Sequence, residues 1–172
     1  MNVKCNARLS LSTPRHPWLD KKKVSNVYEL RRAKKKDYNF LYCLLKSTMK
    51  QYYIETYGSW DEEVEKKYFG ESFIKLRYQI IVYNGHDVGC LAITNNTVDI
   101  FINEIQILPQ YQNNGIGRMI LNSIIEDSER LKMPIKLDVL KSNKKALEFY
   151  KRIGFIKYGE TESHNNMIRN TK

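Results

Sequence analysis

Apolar and polar positions along this chain recur with two different periods, and each change of period marks an element. "VSNVYELRRA" at 24–33 alternates like a first strand. Behind Asp37, a residue type that caps helices, Phe40, Leu41, Leu44, Leu45, Thr48 and Met49 recur at helical spacing and predict a helix to about Tyr53. "SWDE" at 59–62 has the form of a capping box and opens a second helix toward Tyr68. In "YQIIVYNGHDVGCLAIT" two strand-like runs flank Asn84-Gly85, the dipeptide of a type I′ hairpin turn. Asn95-Asn96 marks another turn, and "VDIFINEIQIL" is the next strand. A loop then enters a helix predicted to reach Leu131, and "IKLDVL" at 135–140 is a strand. Asn143 caps a short helix that Gly154 ends, and "FIKYG" and "NNMIRN" form a closing hairpin. Residues 1–23, with two prolines and no period, read as an arm, which leaves 24–172 as one domain. The order β-α-α-β-β-β-α-β-α-β-β predicts an α/β (α+β) fold, one mixed sheet with helices packed on it.

Composition narrows this picture without changing it. A chain of 172 residues is long enough for one real core. The longest apolar run, "FLYCLL", is far short of a membrane span, and no secretory apolar segment lies near the N-terminus, so a cytoplasmic location is expected. Cys5, Cys43 and Cys90 lack metal-ligand spacing, which suits a reducing compartment and no metal. Cys43 and Cys90 are expected as small apolar core residues. The net charge of +10 arises within residues 1–50, where thirteen Lys/Arg face three Asp/Glu (13 − 3 = 10); the remainder holds sixteen of each. Tracts such as "KKK" at 21–23 and "RRAKKK" at 31–36 attract nucleic acid or acidic surfaces. No stacking motif or groove-reading helix accompanies them, which argues against nucleic acid and for a solvated arm. Residues 1–19 contain no acid and several Ser/Thr, a faint likeness to a transit peptide.

Candidate chemistry begins at Gln112, Gly115 and Gly117, a Q-x-x-G-x-G run between a strand and a helix. A helix N-terminus offers unpaired N–H groups and partial positive charge, and glycine lets a ligand approach them. Such a loop suits phosphate, although a tight turn alone also explains it. Met119-Ile120-Leu121 after Gly117 exclude G-x-G-x-x-G, and no Gly-Lys-Ser/Thr follows. Further on, "LDVLKSNKKALEFYKRIGF" places Asn143 at a strand end, Ala146 and Tyr150 one helical turn apart, and Gly154-Phe155 after them. Together the two motifs resemble the GNAT superfamily of acetyl-CoA-dependent N-acetyltransferases, specifically over about 100–156 and more loosely over 24–168.

The resemblance implies a mostly antiparallel mixed sheet with helices on both faces and with strands four and five splayed around acetyl-CoA. Backbone near Ile107 would bond the pantetheine arm like an added strand. The amides of Gln112, Asn113, Asn114, Gly115, Ile116, Gly117 and Arg118 would hold the pyrophosphate, and Asn143 the pantetheine. Lys144 and Lys145 would help neutralise the phosphates, unless both are merely solvated. For catalysis the resemblance offers Glu104 as general base, a strand-four amide near Ile107 as oxyanion donor, and Tyr150 as the acid for the leaving thiolate. Outward alternation on a half-exposed strand also explains Glu104. The acceptor would be a primary amine of a small molecule or a protein. Tyr53, Tyr57, Trp60, Asp61 and Glu62 suit a cationic amine, or else a staple and cap for helix two. His164 in the last hairpin is a further candidate, or a structural residue. A different class remains open: a non-catalytic acyl-CoA-binding or sensing module that docks through its basic N-terminus. The expected state is a monomer or a homodimer.

Overall fold

Among the described residues, seven strands and four helices follow the order that the periodicity predicts. The structure is a computed structural model and describes residues 28–172; the expected arm over 1–23 and the first strand's start at 24–27 lie outside the described residues. In chain order the elements are β1 (Tyr28–Arg32), α1 (Tyr38–Tyr57), α2 (Glu62–Lys75), β2 (Gln79–Tyr83), β3 (His86–Asn95), β4 (Ile100–Ile107), α3 (Ile116–Leu131), β5 (Ile135–Leu140), α4 (Lys144–Arg152), β6 (Ile156–Glu160) and β7 (His164–Arg169). The sheet runs β1-β2-β3-β4-β5-β7-β6, antiparallel throughout except for the parallel pair β4 and β5. Asn84 and Gly85 both have positive φ, 50° and 78°, as the type I′ hairpin requires.

Each face of the sheet buries its own cluster. Ile81, Leu91, Ile100, Ile102, Leu137 and Met167 point toward α3 and α4, where Ile120, Leu121 and Phe155 meet them. Ile80, Cys90 and Ala92 point the other way, under Leu41, Leu44, Leu45 of α1 and Phe69 of α2. Burying each of these Ile, Leu, Met and Phe side chains stabilises the fold by about 1.5–3 kcal/mol.

The local chemistry departs from expectation at four places. The helix over α1 runs to Tyr57, past the expected Tyr53; nothing in "QYYIETY" stops it before Gly58, whose N–H bonds Ile54 O at 2.9 Å. Asp37 does not cap it. The Asp37 carboxylate turns back to accept from Lys34 N at 2.7 Å and from both Arg31 guanidinium nitrogens at 2.9 and 3.0 Å. The cap of α2 is Asp61 rather than Ser59, accepting from Glu63 N and Val64 N, and α2 continues to Lys75 because Phe69 and Phe73 pack on Tyr38 and Tyr78. Cys43 is exposed, on the outer side of α1, while Cys90 is buried as expected.

Candidate active site

One extra residue in β4 sets the direction of everything after it. Ala92 pairs with Glu104 but Ile93 pairs with Ile102, so Asn103 is a β-bulge. Ile100 and Ile102 before the bulge, and Ile105 and Ile107 after it, pack on the α3/α4 side. Strict alternation would have put Glu104 in that apolar layer with Ile102. The bulge turns Glu104 and Gln106 toward α1 instead, where the side chains of Thr48 and Gln106 lie within hydrogen-bond distance. Gly89 lets β3 come close here, because a Cβ on it would lie 2.2 Å from Gln106 O.

The sheet opens immediately after the bulge. β4 and β5 pair only from Ile100 to Ile102 against Ile135 to Leu137, whereas β5 pairs with β7 along its whole length. Leu108 N–H donates to Val88 O at 2.8 Å, so by alternation the amides of Ile105 and Ile107 face the opening. Across the gap, Thr56 and Ser142 hydroxyls meet at 2.8 Å, and Ser142 Oγ donates to Tyr52 O at 3.2 Å, tying α1 to the loop before α4.

Two cavities meet at this opening. The larger, of about 850 Å³, runs along the outer end of β4 to the first turn of α3. Ile107, Gln112, Asn113, Gly115, Ile116, Gly117 and Arg118 line it; Asn114 does not. Gly115 is the N-cap of α3 with φ 77°, a conformation that disfavours a side chain. Met119 N–H reaches Gly115 O at 3.0 Å, which leaves the amides of Ile116, Gly117 and Arg118 without intrahelical partners. The amide of Gln112 is not free, since it bonds Pro109 O at 3.2 Å. The Gln112 side chain donates to Ile107 O at 2.9 Å and accepts from Lys145 Nζ at 3.2 Å. Ile116 buries its side chain in the core, so only its backbone faces a ligand. Arg118, Lys145 and Arg152 line this cavity against one acid, Glu55; Lys144 does not line it.

The smaller cavity, of about 170 Å³, lies on the α1 side. Tyr53, Glu104, Asp138, Tyr150 and His164 line it, and no Lys or Arg does. Asn143, Ala146, Tyr150 and Gln106 line both cavities. Asn143 Oδ1 caps α4 by accepting from Ala146 N at 3.0 Å, so its amide nitrogen is the group left to meet a ligand. Trp60 does not line either cavity; it stands behind Tyr53, ring centroids 5.5 Å apart, and donates to Glu62. Asp61 is occupied as a cap and Glu62 by Lys46 at 2.8 Å. Tyr57 packs edge-on against Tyr53 and is exposed. His164 pairs with Leu140 across β5 and β7, and its Nδ1 lies 2.8 Å from Ser163 Oγ.

Glu104 dominates the electrostatics. The residue as a whole is half-buried, but its carboxyl group sits among protein atoms. That desolvation pushes the carboxyl up to about 7, opposed by a hydrogen bond from Gln106 Nε2 at 2.8 Å. Burial, with the Glu104 charge second, raises the phenols of Tyr53 and Tyr150. Tyr150 is 9% exposed, at the junction of the two cavities. Asp138, Gln106 and Arg152 were not legible as site residues. Alternation marks Asp138 only as outward-facing, and nothing in sequence spacing shows that the strand beside it is missing.

A sheet parted between a parallel pair of strands, with a glycine-entered helix at the mouth, is the framework of an acyltransferase. The sequence profile of the acetyltransferase (GNAT) family matches residues 41–155, well over half of the chain, and the protein belongs to that family. Its fold is similar to PaiA N-acetyltransferase from Thermoplasma acidophilum in complex with coenzyme A: TM-score 0.67, 16% identity, covering 83% of this chain and 98% of that one. It is also similar to PH1933 from Pyrococcus horikoshii OT3, with TM-score 0.66 and 21% identity over 84% and 99% of the two chains. An acetyltransferase from Thermus thermophilus gives 0.65 and 17% over 84% and 97%. At these identities the likeness is one of fold. Among the described residues no helix is long and apolar enough to cross a membrane.

Proposed function

We propose that the protein moves an acetyl group from acetyl-CoA to a cationic primary amine. The observation that carries this reading is the division of charge between two joined cavities. Free helix amides, Arg118, Lys145 and Arg152 suit a polyphosphate in the larger one. Glu104 and Asp138, with tyrosine walls, suit an ammonium group in the smaller one. When bound, acetyl-CoA supplies an activated acyl carbon. Ile105 and Ile107 present backbone groups toward that carbon's carbonyl and the pantetheine arm. Glu104 takes a proton from the ammonium, directly or through water, because an ammonium of pKa about 10.4 is almost wholly charged at neutral pH. A carboxyl near 7 is matched to that task. Tyr150, between the two cavities, gives its proton to the departing sulfur. A pocket of about 170 Å³ has the size that holds a benzene-sized molecule, which favours a small acceptor or a single extended side chain.

The test is thiol release from acetyl-CoA across polyamines, aminoglycosides, amino acids and peptides with free N-termini. Turnover is expected with small cationic amines. Tight CoA binding with no turnover on any amine would instead make the protein a sensing module.

A further inference from the structure

We propose that Gln106 is a positioning residue that holds the Glu104 carboxyl group in one orientation in both of its protonation states, by turning its amide, with Thr48 as the second partner. This rests on Glu104 acting as the base. Gln106 is 7% exposed and reaches two polar groups: Nε2 donates to Glu104 Oε2 at 2.8 Å, and Oε1 lies 3.0 Å from Thr48 Oγ1. Thr48 Oγ1 has one proton and a second acceptor in reach, Leu44 O at 2.8 Å.

That surplus of acceptors allows two complete arrangements. With Glu104 ionised, the Gln106 amide donates to it and Thr48 donates to Gln106 Oε1. With Glu104 protonated, the carboxyl needs an acceptor. A half-turn of the amide presents Oε1 to Glu104 and Nε2 to Thr48 Oγ1, whose O–H then donates to Leu44 O. Gln106 Nε2, Gln106 Oε1 and Thr48 Oγ1 each keep a hydrogen-bond partner in either state, which matters because an unpaired buried group is costly. A base that must hold and release one proton per turnover gains a fixed aim from such a relay. The other titratable groups around Glu104 are Tyr53 from α1, Tyr78 before β2, Cys90 from β3, Asp138 from β5, Tyr150 from α4 and His164 from β7. Among the described residues none of these six is hydrogen-bonded to the Glu104 carboxylate, so Gln106 supplies its orientation.

Two measurements test this. In the pH profile of kcat/KM, which reports the free enzyme, Gln106→Met removes the donor to the ionised form, so the acidic limb should move upward by about one pH unit with the acceptor KM little changed. Thr48→Val should move it the same way, and Thr48→Ser should restore it. Independently, the Gln106 side-chain amide resonances of the intact protein should titrate with the midpoint of that limb, and should stop titrating in Glu104→Gln. If Glu104→Gln removes the limb while Gln106→Met leaves it in place, the positioning role is wrong and the base stands. If Glu104→Gln leaves the limb where it was, the base assignment falls and takes this one with it. A Gln106 effect confined to KM would make it a substrate contact instead and overturn the proposal.

Discussion

Glu104 is asked to be charged in a place that resists charge. Ionising it there is disfavoured, and the same fact makes it a proton acceptor near neutral pH. Its folded-state pKa lies above the unfolded value, so the protonated form is the stabilising one. That stability is fully present below the unfolded value of about 4.3 and is lost as pH rises toward 7. Glu104→Gln should therefore gain thermal stability above pH 7, by up to roughly 3 kcal/mol, while losing activity. The activity gap at pH 7 should be about 10²–10⁴-fold and should close as pH nears the acceptor's own pKa. A loss confined to KM, persisting until the acceptor itself loses its charge, would make Glu104 a binding residue. Equal melting temperatures across pH 5 to 9 would contradict the buried-charge account. Tyr150→Phe keeps the ring and removes the proton donor. A fall in kcat on the order of ten- to a hundredfold, with CoA affinity nearly unchanged, is expected, because a thiolate already leaves tolerably near neutral pH. Unchanged kcat under chemistry-limited conditions would remove Tyr150 from the mechanism.

The elements carry information that single residues do not, and here sequence and structure part company in instructive ways. Strand and helix order, the Asn84-Gly85 hairpin, the Asn143 cap and the glycine entry to α3 were legible because each depends on near neighbours in the chain. The bulge at Asn103 was not, because it depends on how β4 sits against β3; without it Glu104 would face the wrong layer. The true cap of α2 was also hidden, since Ser59 and Asp61 are both residue types that cap helices and the folded backbone uses the second. Gly89 belongs to the same lesson. Its need arises from Gln106 on another strand, and Gly89→Ala should cost about 1–3 kcal/mol of stability, read as a fall in melting temperature. At the start of α3 the expectation is opposite. A Cβ on Gly117 meets only Ile107 Cδ1 at 3.5 Å and Phe149 Cζ at 3.8 Å, ordinary contacts. Gly117→Val should fold, fill the mouth of the larger cavity and weaken CoA binding by roughly 10- to 200-fold. Calorimetry showing parent affinity in the folded variant would move the pyrophosphate elsewhere.

At the scale of the molecule, charge is sorted by position. The excess of ten positive charges lies within residues 1–50, whereas residues 51–172 are balanced. Within the described part, cations line the larger cavity and carboxylates the smaller, so the balance of the second segment conceals a local separation. Among the described residues the sheet that holds both cavities begins at Tyr28, with β1 paired to β2 along its whole length. Among the described residues, those lining the two cavities come from positions 47–164. We propose that the basic tract at 21–23 is not needed for the chemistry: its charge would repel a cationic acceptor, an effect screened beyond about 8–10 Å at physiological salt. A protein beginning at Val24 should therefore fold and keep kcat and CoA affinity, with acceptor KM unchanged or slightly lower at low salt. The measurement is steady-state turnover of the truncated and full chains with one small amine at two ionic strengths, alongside melting temperature. A truncated protein that melts normally yet has lost turnover would place part of the arm in the active site and move the domain boundary toward the N-terminus.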